Sequence, residues 1–199
     1  MVTVEVDPVH VESRLAAGAI ACPVCRVGVL GGWGYARARR IEGLSDRLRP
    51  RRARCRSCMV THVLLPVTVL LRRAHAAERI WVALTARAEG LGHRRIGGML
   101  GIPAATVRGW LRCAGQRLET IRSWLLGVAV TAGVNVAIPD GSGCPWRDVL
   151  AAAATATSAI RFRFGPVGLL GAVTPAGVAV AASGGRLLAP GWPTLPRSR

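Results

Sequence analysis

The sequence Cys22-Pro-Val-Cys25 is followed, 29 residues later, by a second pair of the same spacing, Cys55-Arg-Ser-Cys58. A Cys-x-x-Cys turn places two thiolates on one side of a tight loop. Two such turns that face each other supply the four soft ligands of a tetrahedral zinc site. We therefore predict one structural Zn²⁺ bound by Cys22, Cys25, Cys55 and Cys58. The alternatives for this pattern are two disulfides or four ordinary buried thiols.

The residues between and around the cysteine pairs have the pattern of short strands separated by turns. Trp33 and Tyr35, with Arg37 and Arg39 alternating after them, predict a strand with one aromatic and one basic face. Two cysteine turns, each beside a β-hairpin, are typical of a zinc ribbon, here over residues 21–66. A module of this size has too small a core to fold alone, so we expect the metal to contribute to its folding.

The charge of the chain indicates a polyanionic partner. All 27 basic residues are arginine, and the formal net charge is +17. Ten arginines lie from Arg26 to Arg56 inclusive, where only Glu42 and Asp46 are acidic. Such an excess favours nucleic acid as the partner, ahead of an acidic membrane surface. The arginines of this region that we predict to bind DNA are Arg37, Arg39, Arg51, Arg52 and Arg54.

Residues 72–122 change to a helical period, and the segment 95–112 has the spacing of a helix-turn-helix. Gly97 lies where two helices must approach closely, and Gly101 lies at a turn that favours positive φ. Pro103 opens the second helix, where its missing N–H would be unpaired in any case. We predict this second helix, residues 103–112, to be a recognition helix. The alternative is an ordinary helical hairpin without a ligand.

Arg108 is the best candidate for a base contact on the recognition helix, because a guanidinium can donate two hydrogen bonds to guanine. The other polar side chains are predicted to bind phosphates; they are Arg94, Arg95, Thr106 and Arg112. Because the helix has few polar side chains, we expect it to discriminate modestly between sequences. Much of the affinity would come from the Arg-rich ribbon and would fall steeply with salt.

Residues 123–199 are predicted to form an apolar region that is helical or partly disordered. The stretches 124–139 and 164–185 contain no charged residue. The first is too short to cross a membrane, and the prolines and small residues of the second make a poor transmembrane helix. We therefore expect these helices to pack on the rest of the domain or on a partner, with a homodimer as one possibility.

The N-terminal segment, residues 1–20, has a short strand pattern followed by an Ala-rich stretch, and it lacks the features of a secretory signal. This predicts a reducing cytoplasm, where metal binding is favoured over disulfides. Only Asp140 and Asp148 are acidic after Glu119, too few for the carboxylate site of a two-metal nuclease. We therefore expect no enzymatic activity and no small-molecule substrate.

Several motifs together resemble an uncharacterised bacterial family, classed as a domain of unknown function, whose members are described as helix-turn-helix or transposase-like. The Arg-rich approach to the second cysteine pair is also similar to the N-terminal zinc finger of insertion-sequence transposases. The resemblance covers residues 20–122 and implies zinc at the four cysteines and DNA binding through residues 103–112. The motifs that carry it are Cys22-Pro-Val-Cys25, Trp33-Gly-Tyr-Ala-Arg37, Arg51-Arg-Ala-Arg-Cys55-Arg-Ser-Cys58, Thr61-His-Val-Leu-Leu-Pro66 and Gly92-His-Arg-Arg-Ile96.

The chain departs from the pattern of this family at two positions. Arg26 stands where such cysteine turns usually have glycine, and Pro103 stands where a Ser or Thr would cap the recognition helix. The similarity does not extend to a nuclease domain. It therefore implies DNA recognition without strand transfer.

Taken together, these patterns predict an α+β chain: a small four-cysteine zinc-ribbon module, then an all-α helix-turn-helix domain, then an Ala/Gly-rich helical tail. The predicted function is zinc-dependent binding of double-stranded DNA, as a regulator or as a recognition module of a mobile element. Two alternatives remain. One is a zinc-ribbon adaptor that binds RNA or an acidic protein, and the other is a membrane-associated protein.

Overall fold

The computed structural model describes residues 1–133 and 135–192. Over these residues the chain is a mixed α+β fold with seven helices, one four-stranded sheet and one two-stranded hairpin. The predicted α+β class is therefore confirmed. In chain order the elements are β1 (Val2–Val4), α1 (Pro8–Ala16), β2 (Leu30–Tyr35), β3 (Arg51–Cys55), β4 (Thr61–Pro66), α2 (Ala77–Ala88), α3 (His93–Leu100), α4 (Ala104–Gly115), α5 (Leu118–Ala132), α6 (Pro145–Phe164), β5 (Val167–Gly168), β6 (Gly171–Ala172) and α7 (Pro175–Ala182).

The four-stranded sheet has the order β1-β4-β3-β2 and combines both strand directions. The pairs β2–β3 and β3–β4 are antiparallel, as in a hairpin meander, whereas β1 runs parallel to β4 with Val2 opposite Leu64. Helix α1 follows β1, is capped by the Asp7 carboxylate and buries Val11 and Leu15 against the sheet core. The N-terminal segment thus completes the core around the cysteines, a role that its short strand pattern did not reveal.

The predicted aromatic and basic strand is shorter than its alternation suggested. Strand β2 ends at Tyr35, and Arg37 and Arg39 lie in the connection that follows, where Arg39 forms a single bridge with Leu48. The register of β2 against β3 shifts between Gly32 and Tyr35. The pairing resumes at Tyr35, opposite Arg51, and the strand ends there, before the two arginines.

The helical elements share one hydrophobic core that extends from α2 to the C-terminal part of the described chain. Ile80 of α2 and Trp110 of α4 pack in the same cluster as Leu125 of α5, Val149 of α6 and Leu188 after α7. The longest described helix, α6, packs mainly on α5 through alanines, which allow the two backbones to come close. The apolar C-terminal region is therefore packed on α2 and shares one core with the buried residues of α4.

The segment around Glu42 connects the sheet region to helix α2. The backbone N–H of Glu42 donates to the Ala74 carbonyl at 2.7 Å, and the Ala76 N–H donates to the Glu42 carbonyl at 2.8 Å. The Glu42 carboxylate lies 2.8 Å from the His75 ring and 3.3 Å from the Arg79 guanidinium. This contact joins the Arg-rich connection between β2 and β3 to the first helix of the helical core.

The two charge-free stretches contribute to helices and to the second hairpin. Along the described residues, no helix combines the length and the apolar character that a membrane span needs.

Helices α5, α6 and α7 and the β5–β6 hairpin surround an apolar cavity of about 610 Å³, lined by residues such as Val128, Phe164 and Val178.

Two adjacent glycines of α3 provide a test of the α3–α4 packing. A Cβ atom at Gly97 would lie 2.7 Å from the Ile102 carbonyl oxygen and 3.2 Å from the Ala104 Cα, which confirms the close approach predicted there, whereas one at Gly98 would meet open space. We expect Gly97→Ala to lower the free energy of unfolding by about 1–3 kcal/mol through overpacking. Gly98→Ala should raise it by up to about 1 kcal/mol through helix propensity. Urea denaturation measures both, and equal effects would contradict this packing.

Candidate metal centre

The two cysteine turns meet because of the register of the central hairpin. Strand β2 begins just after the first turn, β3 ends in the second, and Leu30 of β2 pairs with Cys55 of β3. A bridge between Ala21 and Val29 closes the first turn on itself. Both cysteine pairs are therefore held at the same end of the β2–β3 ladder.

The four sulfur atoms form one compact cluster. Cys22 Sγ lies 3.7 Å from Cys58 Sγ, Cys25 Sγ lies 3.7 Å from Cys55 Sγ, and all four lie within 4.8 Å of one another. Cys22 and Cys55 are buried, and the other two are half-buried. These distances exclude sulfur–sulfur bonds, which are about 2.05 Å long. The cluster thus has a geometry that could bind a metal ion.

Backbone N–H groups point at the sulfurs from both turns. The Gly28 N–H donates to Cys25 Sγ, and the N–H groups of Ser57 and Cys58 donate to Cys55 Sγ, each at 3.4 Å. Such bonds stabilise a thiolate more than a neutral thiol. The two turns therefore favour the thiolate form of Cys25 and Cys55, which is the form that binds metal ions.

Each turn contains a residue in the left-handed region directly after its second cysteine. These residues are Arg26, with φ of 62°, and Met59, with φ of 61°. Arg26 thus occupies the position where glycine was expected and takes the conformation that glycine would adopt easily. The matching φ values show that the first turn has the same local backbone conformation as the second at this position, despite the substitution.

The pKa values of the thiols in the cluster shift in opposite directions: those of Cys25 and Cys55 are lowered, and that of Cys58 is raised. The N–H groups of Cys58 and Ser57 and the neighbouring thiols lower the pKa of the Cys55 thiol to about 6, against the effect of burial. The Gly28 N–H likewise lowers the pKa of Cys25. For Cys58, the Val60 N–H lowers the pKa, but burial and the other three sulfurs outweigh it and raise the pKa to about 11. Burial and the neighbouring sulfurs therefore oppose ionisation of Cys58, and a bound cation would offset this effect.

Two residues outside the predicted ligand set also shape the cluster. A Cβ at Gly28 would lie 2.6 Å from both Cys55 Sγ and Ser57 Oγ, so this position excludes any side chain. His62 is 3 % exposed, and its Nε2 lies 3.6 Å from Cys22 Sγ. Burial lowers the pKa of His62, which keeps its ring neutral behind Cys22. In the sequence, the only sign of the role of Gly28 is that a glycine stands three residues after Cys25.

The remaining cysteines lie apart from the four-sulfur cluster. Cys113, on α4, accepts a contact from the Arg73 guanidinium at 3.8 Å. Cys144 precedes α6 at its N-cap position. Both are free thiols that are half-buried. They therefore serve as internal controls for experiments on the cluster.

The arginines predicted to bind DNA near the sheet fall into two groups. Arg51 lies 2.6 Å from the Glu12 carboxylate and donates to the Gly34 carbonyl at 2.7 Å, and Arg54 donates to the Met59 carbonyl at 3.1 Å. The guanidinium groups of these two therefore already support the fold. Arg37 and Arg52 are exposed, and Arg39 is half-buried.

The residues predicted on the helix pair lie on α3 and α4, with Gly101 in the left-handed conformation between the helices. Ile96, Ile102, Val107 and Trp110 are buried between them. Among the residues predicted to contact DNA, all four arginines are exposed and the threonine is half-buried. They are Arg94, Arg95, Arg108, Arg112 and Thr106.

Comparison of the chain with models of protein families, with curated proteins and with solved structures finds no significant match.

The cluster should hold about one metal ion per chain, because four sulfurs complete a tetrahedral site. We expect Cys55→Ser to remove most of the bound metal, since this residue provides both a sulfur and the acceptor of two N–H bonds. Cys113→Ser is the matched control and should keep the metal. Elemental analysis of the purified proteins measures the number of metal ions per chain. Equal metal content in the two variants would contradict the site.

Metal affinity should fall as the pH is lowered from about 8 to about 6. The Cys58 thiol, with its pKa raised to about 11, stays protonated in the metal-free chain, so metal binding must displace its proton. Each displaced proton weakens binding by about tenfold for each pH unit of acidification. Competition with a chromophoric chelator at several pH values measures the slope. A slope of zero would show that thiols are not the ligands.

Proposed function

We propose that this protein is a DNA-binding protein whose fold depends on one structural Zn²⁺ bound by the four cysteines. Zn–S bonds of about 2.3 Å in a tetrahedron place neighbouring sulfurs about 3.8 Å apart. The Cys22–Cys58 and Cys25–Cys55 sulfur pairs, each at 3.7 Å, fit this value. Four thiolates are also the donor set that zinc takes in closed structural sites, where no position remains for a substrate.

The zinc would act on the structure of the β2–β3–β4 region, which we interpret as the predicted zinc ribbon. It would neutralise the sulfur charges and join the first cysteine turn to the second. The small core of this region includes Val4, Leu30 and Leu64 besides the cysteines themselves. A core of this size gains much of its stability from a bound metal. We assign the zinc no catalytic role.

The α3–α4 pair supports the DNA-binding part of the proposal. The two helices are joined by a three-residue turn, pack through Ile96 and Trp110, and require a residue without a side chain at Gly97. These features support the predicted helix-turn-helix, in which the N-terminal part of the second helix would contact base edges in the major groove. Arg108, exposed on α4, is the proposed base contact.

The observation that carries the proposal is the set of unneutralised arginines on this helix pair. Across residues 1–133 and 135–192, the ion pairs of arginine that the structure shows involve Arg14, Arg51, Arg79 and Arg122. The four exposed arginines of α3 and α4 take part in none of them. Guanidinium groups on a helix-turn-helix without internal acidic partners are available to bind phosphates and bases.

Arg108→Ala combined with Arg112→Ala should weaken binding to the preferred duplex by at least about tenfold, since a bidentate base contact alone contributes about 1–3 kcal/mol. It should also reduce the slope of log K against log salt. Arg186→Ala is the control, because its exposed side chain acts electrostatically on the amino terminus instead. Duplex sites selected from random DNA, followed by fluorescence anisotropy, provide the measurement. Unchanged affinity in the double variant would refute the role of α4.

The adaptor hypothesis predicts a different outcome of the same titrations. If the basic ribbon binds RNA or an acidic protein, duplex RNA or heparin should compete for the chain as well as the selected DNA does. Loss of the two α4 arginines should then have no more effect than loss of Arg186. A regulator and a recognition module of a mobile element are both compatible with the selected DNA site being bound specifically.

A further inference from the structure

Strand β2 carries an unusual combination of residues for a strand on the edge of a sheet. Its sequence, Leu30-Gly-Gly-Trp-Gly-Tyr35, combines side-chain-free positions with two large aromatic rings. Trp33 is 51 % exposed and Tyr35 is 49 % exposed, although rings of this size are usually buried. Neither ring belongs to a described hydrophobic cluster. The two exposed rings therefore make β2 a candidate contact surface.

The glycines of β2 make room for guanidinium groups. A Cβ at Gly32 would collide with the Arg51 guanidinium, and one at Gly31 would lie 3.2 Å from Arg56 Nε. The Arg51 side chain also donates to the Gly34 carbonyl. Arginines of β3 and of the second cysteine turn thus lie across the backbone of β2. Glu12 pairs with Arg51 and accepts from the Tyr35 hydroxyl at 3.3 Å, so the positive charge left on this surface comes from Arg54 and from the exposed Arg49 and Arg56.

The rings themselves stack with arginines. The Arg54 guanidinium lies 4.6 Å from the centre of the Trp33 ring, and those of Arg51 and Arg49 lie 4.6 and 4.8 Å from the centre of the Tyr35 ring. The structure gives Trp33 one such neighbour, and half of its surface stays exposed. Trp33 therefore offers a flat aromatic surface that is supported from one side by a fixed cation.

We propose that Trp33, supported by Arg54, is a stacking site for an unpaired base, and that the β2 surface binds single-stranded nucleic acid. A single strand has the two features that this surface complements: phosphates for the arginines and free base faces for the indole. Bases of a duplex are stacked on each other and offer no free face to a ring on a strand. An acidic peptide would use the charges but not the exposed indole.

The stacking site is connected to the metal centre. Arg54 Nε donates to the carbonyl of Met59, the residue that directly follows Cys58. The position of the Arg54 guanidinium behind Trp33 thus depends on the shape of the second cysteine turn. Metal removal is expected to weaken single-strand binding even though no nucleotide contacts the sulfurs.

The test compares a labelled oligo-dT of about 15 nucleotides with an abasic strand of the same length and charge, by fluorescence anisotropy on the metal-loaded full chain. A stacked base contributes about 1–3 kcal/mol, so oligo-dT should bind about 5- to 100-fold more tightly than the abasic strand. Trp33→Leu should abolish this preference and leave the abasic affinity unchanged, whereas Trp33→Phe should keep part of it. Trp124→Leu is the matched control on α5; because the Trp124 indole donates to the Ala182 carbonyl and packs on Trp192, urea denaturation checks that this variant is folded.

Equal affinities of the wild-type chain for the two strands would overturn the stacking proposal, as would an unchanged preference in Trp33→Leu with normal metal content. This inference shares nucleic acid as the partner with the proposed function but rests on β2 and Arg54 rather than on α3 and α4, so the two fail separately. The α4 double variant should lose duplex binding and keep the oligo-dT preference. A wild-type chain that shows the preference without duplex binding would refute only the role of α4.

Discussion

The antiparallel pairing of β2 with β3 is the constraint on which the rest of this structure depends. Because Leu30 lies opposite Cys55, the turn before β2 and the turn after β3 end at the same place. A change of register would separate the two cysteine pairs, and a one-residue shift would also turn each side chain to the other face of the sheet. The metal centre, the small core around it and the exposed aromatic surface of β2 all follow from this one pairing.

The cluster and the ladder in turn stabilise each other. Backbone N–H groups favour the thiolate form of Cys25 and Cys55, whereas burial and the neighbouring sulfurs raise the pKa of Cys58 to about 11. A bound cation would offset this effect and fix both turns. Arg54 extends the effect to the surface, because it links the carbonyl of Met59 to the face of Trp33. Arg54 would thereby connect the charge state of the cysteine cluster to the position of the side chains beside Trp33.

The helical part of the chain is held together by a hydrophobic core. Its core contains residues from α2 to the segment after α7, so the apolar C-terminal region covers helices that would otherwise expose Trp110 and its neighbours. This leaves the charged sides of α3 and α4 towards solvent. The contact of Glu42 with His75 and Arg79 joins this body to the connection between β2 and β3. The described chain therefore combines a sheet whose core includes the cysteine cluster with a set of helices whose core consists mainly of aliphatic side chains.

The sequence alone determined the four clustered cysteines, the α+β class and the close approach at Gly97, because fixed spacings and missing side chains have local structural consequences. Only the tertiary structure decided that β1 pairs in parallel with β4, since a three-residue strand gives no local sign of its partner. It also decided that Arg51 and Arg54 support the fold, because packing places Glu12 beside Arg51 and the shape of the second cysteine turn places the Met59 carbonyl beside Arg54. The spacing of residues in the sequence predicts which side chains can form a site. Strand register and packing decide which of these side chains are used inside the fold and which remain free to bind a partner.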